Sequence, residues 1–331
     1  MLNDPVELAN RSPAITILVS VFNAVETVKK SIESIRIQTC EDFELLVFDD
    51  ASTDGTRMLI REAMGLDARI RLIENEKNLG LTANLVRGVN MARGKYIARL
   101  DADDSWKSDK LAKQVAFLEQ HSDYVLCASS VEFIMDGRNV GKSNPPIEDA
   151  EITRRLFTRQ GLLDHSTILF RRIINYRMEF TYSQDLDLYA RLCFLGKIHC
   201  LEESLVLHEI GNRGIGTTKK YLQRQYQNLA YSFFLERHKT GTDSLETAGT
   251  SAVRIRDVFL EKKMAALSAV FFKLFLKYRI KKKEPLFWAP LLGIAVAIYP
   301  PYLKDYLVRL FIRKKYSVLF RLNRIQPIPR I

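Results

Sequence analysis

The sequence predicts an α/β fold, with a mostly parallel central sheet flanked by helices. Two observations carry that expectation. Short apolar, β-branched runs alternate with helix-periodic segments from residue 14 to residue 134. Three of those runs end in polar clusters, "SVFN", "FDD" and "RLDADD", where open parallel sheets bind their ligands. At 331 residues and 47% hydrophobic content, the chain has apolar surface for one large domain with additions, or for two.

Residues 14–21, "AITILVSV", read as the first strand, and "AVETVKKSIESIRIQ" places Val25, Val28, Ile32 and Ile35 at helical spacing. "FELLVFDD" (43–50) is the second strand, followed by "STDGTRMLIREAM", whose Ser/Thr/Asp cluster suits a helix start. "RIRLIEN" (69–75) is the third strand. "GLTANLVRGVNMARG" is the next helix, expected to close at Gly94. "KYIARLD" (95–101) is the fourth strand. A helix over 108–122 is expected to be capped by Ser108, and a long strand, "YVLCASSVEFI", follows. Beyond it we expect a helix in "IEDAEITRRLFT", a strand in "HSTILFRR" and a helix in "QDLDLYARLCFLG". "KIHCLEESLVLHEI" should give two short strands, and "TTKKYLQRQYQNLAYSFFLERHK" a long helix. "TGTDSLETAGTS" reads as a linker. There is no GxGxxG, no P-loop and no internal repeat.

The charge is unevenly spread. The chain has 50 Lys and Arg against 39 Asp and Glu; from Ser251 onward the count is 18 against 4, leaving 32 against 35 before it. The basic excess therefore lies in the tail, which argues against a nucleic-acid face on the main domain. The tail carries a basic helical pattern and then "PLFWAPLLGIAVAIYPPYL" (285–303), apolar but cut by Pro285, Pro290, Pro300 and Pro301. The prolines leave less than the ~20 apolar residues a spanning helix needs. Basic clusters on both sides fit an interfacial or re-entrant segment on an anionic membrane surface; a buried C-terminal hairpin is the alternative. The polar N-terminus lacks a signal-peptide core, and Cys40, Cys127, Cys193 and Cys200 lack metal-ligand spacing. A cytoplasmic protein with buried thiols, peripheral or monotopic on the inner face of the cell membrane, is expected.

The chemistry concentrates in acids. Asp101 and Asp103, two residues apart on a strand-end turn, can converge on a hard divalent ion such as Mg²⁺ or Mn²⁺ that arrives with a diphosphate. An Asp-rich turn also suits capping the next helix, and Asp104 fits such a bracing role. Asp49 and Asp50 can accept hydrogen bonds from a base or ribose, or can cap a helix, as can Asp54 or Ser52. Phe22 can stack on a base or join the core. Asp185 lies in the first turn of a helix, where the dipole favours an acid and where a general base can sit; Asp187 faces another side.

"ITILVSVFNAVETVKKSIESIRIQTCEDFELLVFDDASTDGT" together with "NLGLTANLVRGVNMARGKYIARLDADDSWKSDKLAKQVAFLEQHSD" resembles the nucleotide-binding half of family 2 inverting glycosyltransferases of the GT-A fold. "DHSTILFRR" and "SQDLDLYARL" resemble that family's acceptor half, and the likeness spans roughly residues 14–215. The resemblance implies that Ser20 and Phe22 line the nucleotide, Asp50 contacts a uracil-type base, Asp101 touches ribose or sugar, and Asp103 holds the metal. Asp185 is implied as catalytic base, with Trp106 and His165 bordering the sugar and acceptor. Two positions depart from the pattern: Gln184 replaces a Glu, and Leu85-Val86 stand where Arg-Asn or Leu-Asn is common. The Q-x-x-R-W signature of processive members is absent.

The expected organisation is an N-terminal extension (1–13), a GT-A domain (14–240, dividing near 135) and a membrane-associating tail (241–331). The expected function is metal-dependent, inverting transfer of a sugar from a nucleotide-diphosphate donor to a hydroxyl of a lipid-linked glycan, as in bacterial surface-polysaccharide assembly. A non-catalytic nucleotide-sugar-binding subunit, favoured by Gln184 and Val86, is the alternative. A nucleotidyltransferase is disfavoured, because no Gly-rich phosphate loop follows the first strand.

Overall fold

The computed structural model describes residues 12–158, 160–210 and 220–252. Segment 285–303, expected to associate with a membrane, and the basic tail around it lie outside these residues. The described residues up to Asp243, apart from 157–158, belong to one compact unit; residues 157–158 and 244–252 belong to a second.

The strands, β1 (Ile15–Val21), β2 (Phe43–Asp49), β3 (Ile70–Glu74), β4 (Tyr96–Asp101), β5 (Ser105–Trp106), β6 (Tyr124–Met135), β7 (Arg138–Lys142), β8 (Leu169–Arg171) and β9 (Lys197–Glu209), form one sheet in the order β3-β2-β1-β4-β8-β6-β9-β5, with β7 paired to β6. β3, β2, β1 and β4 are mutually parallel, β8 runs antiparallel between β4 and β6, and β6 and β9 are parallel. The expected α/β sheet is thus present, parallel over β3, β2, β1 and β4 and mixed beyond, where β8, β7 and β5 run antiparallel to their partners. The helices are α1 (Val28–Arg36), α2 (Thr56–Leu66), α3 (Leu81–Met91), α4 (Lys110–Gln120), α5 (Asp149–Thr158), α6 (Gln184–Leu192), α7 (Lys220–Thr240) and α8 (Ser244–Ala248).

The central strands read as continuous apolar runs because both their faces are covered. Ile15, Ile17, Val19 and Val21 share one core cluster with Val28, Ile32 and Ile35 of α1. On the other face Gly88 of α3 lies against Leu18 and Phe48; a Cβ there would sit 2.7 Å from the Leu18 side chain. Gly94 is also a matter of space. α3 already ends at Met91, and a Cβ on Gly94 would meet the backbone N of Thr16 at 2.4 Å. Its role is close approach to β1 rather than the helix closure expected from the sequence.

Other expectations change for identifiable reasons. α4 starts at Lys110, not at a Ser108 cap, because the Ser108 carbonyl is engaged by Thr39 N at 2.8 Å. Residues 197–209 form one strand: pairing with β6 skips from Leu201 to Ser204, so Glu202 and Glu203 are accommodated as an irregularity. "HSTILFRR" opens with a 3₁₀ turn (His165–Thr167) before β8, and the expected linker contains α8. β5 and β7 had no clear sequence signal. None of the four cysteines forms a disulfide; Cys127, Cys193 and Cys200 are buried as expected, whereas Cys40 is half-buried.

Candidate active site

The chain leaves β1 to one side through β2 and β3, then returns past β1 to β4. That reversal opens a crevice beyond the carboxyl ends of β1 and β4. Register makes Ser20 and Asp101 direct neighbours across it, with Asp49 beside Val21. Three non-glycine residues at positive φ flank the expected site residues: Asn23 after Phe22, Ala51 after Asp50, and Ser183 before α6. Backbone held in the left-handed region costs of order 1–3 kcal/mol and collects at functional sites.

The β2 side is built from neutral donors. Asp50, 3% exposed, accepts from Leu79 N and Asn75 Nδ2 on Oδ1, both at 2.8 Å, and from Gly80 N on Oδ2 at 2.9 Å. Asn75 also donates to Asn84 Oδ1, and Asn84 donates to Ser20 Oγ at 2.9 Å, while Arg87 binds Asn75. Ser20, Asn84, Asn75 and Asp50 therefore form one connected network. Asp49 is fully buried: its carboxylate accepts Ser52 N and pairs with Arg57 at 2.7 Å. Asp54 accepts Thr56 N at the start of α2. Phe22 is half exposed at the end of β1.

The β4 side is built from crowded acids. Oxygens of Asp101, Asp103 and Asp104 lie within 4.8 Å of one another, and so do ligand atoms of Asp104, Asp164 and His208. Arg99, 2% exposed, faces Asp101 from two residues earlier on β4 and pairs with both its oxygens. Ser166 Oγ donates to Asp104 Oδ2 at 2.5 Å and accepts from Asp101 N at 3.1 Å. His208 Nδ1 lies 3.0 Å from Asp104 Oδ1, an ion pair whose two atoms are buried and lack aligned hydrogen-bond geometry. Burial pushes the Asp103 and Asp104 carboxyls above their ordinary range, with Asp101 adding repulsion. The Asp104 carboxylate, with Asp164 and Asp103 nearby, lifts His208. An oxygen-rich set with misaligned buried atoms fits a hard divalent cation.

The acceptor side places Asp185 at the start of α6, partly exposed. Burial raises its carboxyl, Leu186 N and Arg99 oppose that rise, and Asp164 adds to it. Arg99 and Asp164 thus act on both Asp185 and the β4 acids. Asp187 is instead buried against Arg191 at 2.9 Å and Arg177 at 3.6 Å, and braces α6. Gln184 is 7% exposed. His165 is buried, with Nε2 2.8 Å from the Tyr176 hydroxyl; burial and Arg99 hold it neutral, well below the usual imidazole range. Trp106 is 3% exposed and belongs to the core; its indole N–H donates to the Ser166 carbonyl at 2.9 Å, and Lys110 Nζ lies 4.0 Å from its ring centre. It backs the Asp101–Asp104 turn from inside.

Residues 16–178 match the sequence profile described as glycosyl transferase family 2. An uncharacterized glycosyltransferase of Methanocaldococcus jannaschii is 34% identical over 232 residues, 67% of this chain and 78% of that protein. The chain belongs to glycosyl transferase family 2. Within the family, the Escherichia coli UDP-Glc:alpha-D-GlcNAc-diphosphoundecaprenol beta-1,3-glucosyltransferase WfgD is 29% identical over 65% of this chain and 85% of its own length. Residues 1–349 of Staphylococcus aureus TarS, solved in complex with UDP, match in fold with a TM-score of 0.53 at 18% identity, over 92% of this chain and 91% of that one. The expected family and GT-A class are therefore confirmed, and the chain is a glycosyltransferase.

Several residues of this family 2 site were missed in the sequence. Arg99 had a signal: at i−2 from Asp101 on a strand, it shares that residue's face. Asp164 and Ser166 flank His165 in "DHSTILFRR" and share its 3₁₀ turn; Asn75, Asn84 and His208 had no such signal, since each is brought in by a separate element.

Proposed function

We propose that this glycosyltransferase carries out an inverting, metal-dependent transfer from a nucleotide-diphosphate sugar to a hydroxyl of a lipid-linked glycan. One observation carries the reading: Asp185, a partly exposed carboxyl of raised proton affinity, shares the fields of Arg99 and Asp164 with the acid cluster at the end of β4. That shared field supports a base and a phosphate-charge site acting on one substrate.

On the donor side, a carboxylate offers about four acceptor positions, and the protein uses three of those on Asp50. The one left suits a single ring N–H, as a uracil-type base offers. TarS was solved with UDP and with UDP-GlcNAc, which supports a uridine donor. Phe22 provides an exposed ring for the base, Ser20 lines the nucleotide, and Asp101 holds ribose or sugar. Asp103, with Asp104 and His208 beside it, would hold Mg²⁺ or Mn²⁺. A bound cation of this kind supplies charge neutralisation for a departing diphosphate. Asp185 accepts the proton of the acceptor hydroxyl as that oxygen attacks the anomeric carbon from the opposite side, which inverts its configuration. His165 and Trp106 shape the sugar and acceptor side, His165 as a neutral hydrogen-bonding ring and Trp106 from behind the turn.

The diphosphoundecaprenol acceptor in the name of WfgD supports a lipid-linked acceptor here, in polysaccharide biosynthesis. The basic excess after Ser251 supports a peripheral cytoplasmic location on an anionic membrane. No helix among the described residues is long and apolar enough to cross a membrane. The test is a panel of nucleotide sugars with Mn²⁺ and a lipid-diphosphate acceptor, run on wild type, D185N and D103A. Product of inverted configuration from wild type alone supports the reading. Wild-type turnover by either variant sinks that residue's role. A full-length protein that ignores anionic liposomes sinks the membrane reading.

A further inference from the structure

Arg99 is an unusual neighbour for a cation site. It is almost wholly buried and sits beside the acids expected to attract a divalent ion. A guanidinium cannot shed its charge in a protein, so it stays positive there. Its fork spans both oxygens of Asp101. Ser166 Oγ lies 3.3 Å from the same carboxylate, and the Asp101 side chain remains 38% exposed. Asp103 and Asp104 have no guanidinium across both oxygens: the former is exposed, and the latter meets the Ser166 hydroxyl on one oxygen and the misaligned His208 imidazole on the other. Three adjacent acids are thus divided into one clamped through both oxygens by a permanent cation and two that are not.

We propose that Arg99 is a positioning residue that occupies Asp101 and so directs the divalent cation to Asp103, Asp104 and His208, keeping the exposed edge of Asp101 for the donor sugar. The inference rests on the metal-dependent transfer proposed above. A brace that merely supported the turn would, on removal, weaken cation binding and turnover together. A residue that withholds Asp101 from the metal would, on removal, strengthen cation binding and weaken turnover.

The experiment measures Mn²⁺ affinity directly, by the electron-spin signal of free Mn²⁺, beside kcat and donor KM, for wild type, R99Q, R99K and D103A. In R99Q, loss of a like charge and release of Asp101 should tighten Mn²⁺ about tenfold, while kcat falls about 100-fold. In R99K the ammonium keeps the charge without bridging both oxygens. It should hold Mn²⁺ affinity within about twofold and lower kcat about tenfold. Unchanged or weaker Mn²⁺ binding by folded R99Q overturns the proposal. Should R99Q not fold, R99K decides alone, and wild-type kcat in R99K overturns it. D103A separates the two readings. If wild type binds Mn²⁺ and D103A loses it, the metal site stands whatever R99Q does. If wild type transfers sugar without binding Mn²⁺, the metal reading falls and takes this proposal with it.

Discussion

At the end of β2, Asp50 is enclosed by neutral donors; at the end of β4, Asp101, Asp103 and Asp104 are enclosed chiefly by one another. Both clusters sit on the ligand edge of one sheet. Three hydrogen bonds hold Asp50, two of them from backbone amides, so its geometry is complete before any ligand binds. The β4 acids have one arginine, one serine hydroxyl and one misaligned histidine between them. The first arrangement is stable by itself, while the second keeps unspent charge. The contrast separates an acid whose hydrogen bonds are complete from acids whose charge is left largely unbalanced.

The largest effect should come from the acceptor side of the charged region. D185N keeps size and removes proton affinity, so kcat should fall by about 10²–10⁴-fold with little change in donor KM. Wild-type Asp185 must be ionised to act. Because its carboxyl is raised, the rate should increase with pH through a limb lying above the ordinary carboxylate range. A kcat–pH profile with no acidic limb, or with one at the ordinary carboxylate position, would count against Asp185 as the base.

Next is the enclosed acid. D50A leaves three donors without their acceptor, and should cost about 2–4 kcal/mol in urea unfolding. It should also raise donor KM, since the loop bearing Leu79 and Gly80 is released. A D50A protein as stable as wild type would break the contrast, for Asp50 would then belong to the functional acids only.

The two regions also differed in how well they could be read. β1, β2 and β4 were legible because strands covered on both faces leave unbroken apolar runs, and the acids at their ends followed from sheet polarity. The partners of Asp50 were not, because Leu79 N and Gly80 N are backbone amides that no side-chain pattern encodes. His208 was hidden for another reason: β9 reaches Asp104 by pairing with both β6 and β5, and β5 is only two residues long. Trp106 was legible as a residue of the site region, yet its burial followed from that same short pairing, which turns the indole into the core.

Lys110 sharpens the comparison from beneath the β4 turn. Like Arg99 it is buried, but its amine is bonded to neutral Gln114 at 2.7 Å and faces the Trp106 ring. With no acid beside it, burial lowers its pKa from 10.5 to about 7. Between those values the unfolded chain holds a proton that the native protein lacks, so stability rises with pH across that window and is flat outside it. The slope from this one group is about 1.4 kcal/mol per pH unit. K110M, of similar length, should remove that slope in urea unfolding measured between pH 7 and pH 10. An unchanged slope would mean that Lys110 keeps its proton when buried.

The smallest effect bears most directly on the contrast. Asp103 is exposed, and its carboxyl is raised by partial burial and then by Asp101. An acid whose folded pKa is raised contributes stability at low pH that is lost as pH rises through that value. At neutral pH its charge is therefore a cost, though solvent screening keeps it small. D103N should leave stability unchanged or raise it by about 0.5 kcal/mol, while abolishing transfer. D50A and D103N then move in opposite directions: one loses fold and donor affinity together, and the other loses only chemistry. If D103N destabilised the protein as D50A does, Asp103 would be holding the turn together, and the unspent charge would have to be sought on Asp104 and Asp164.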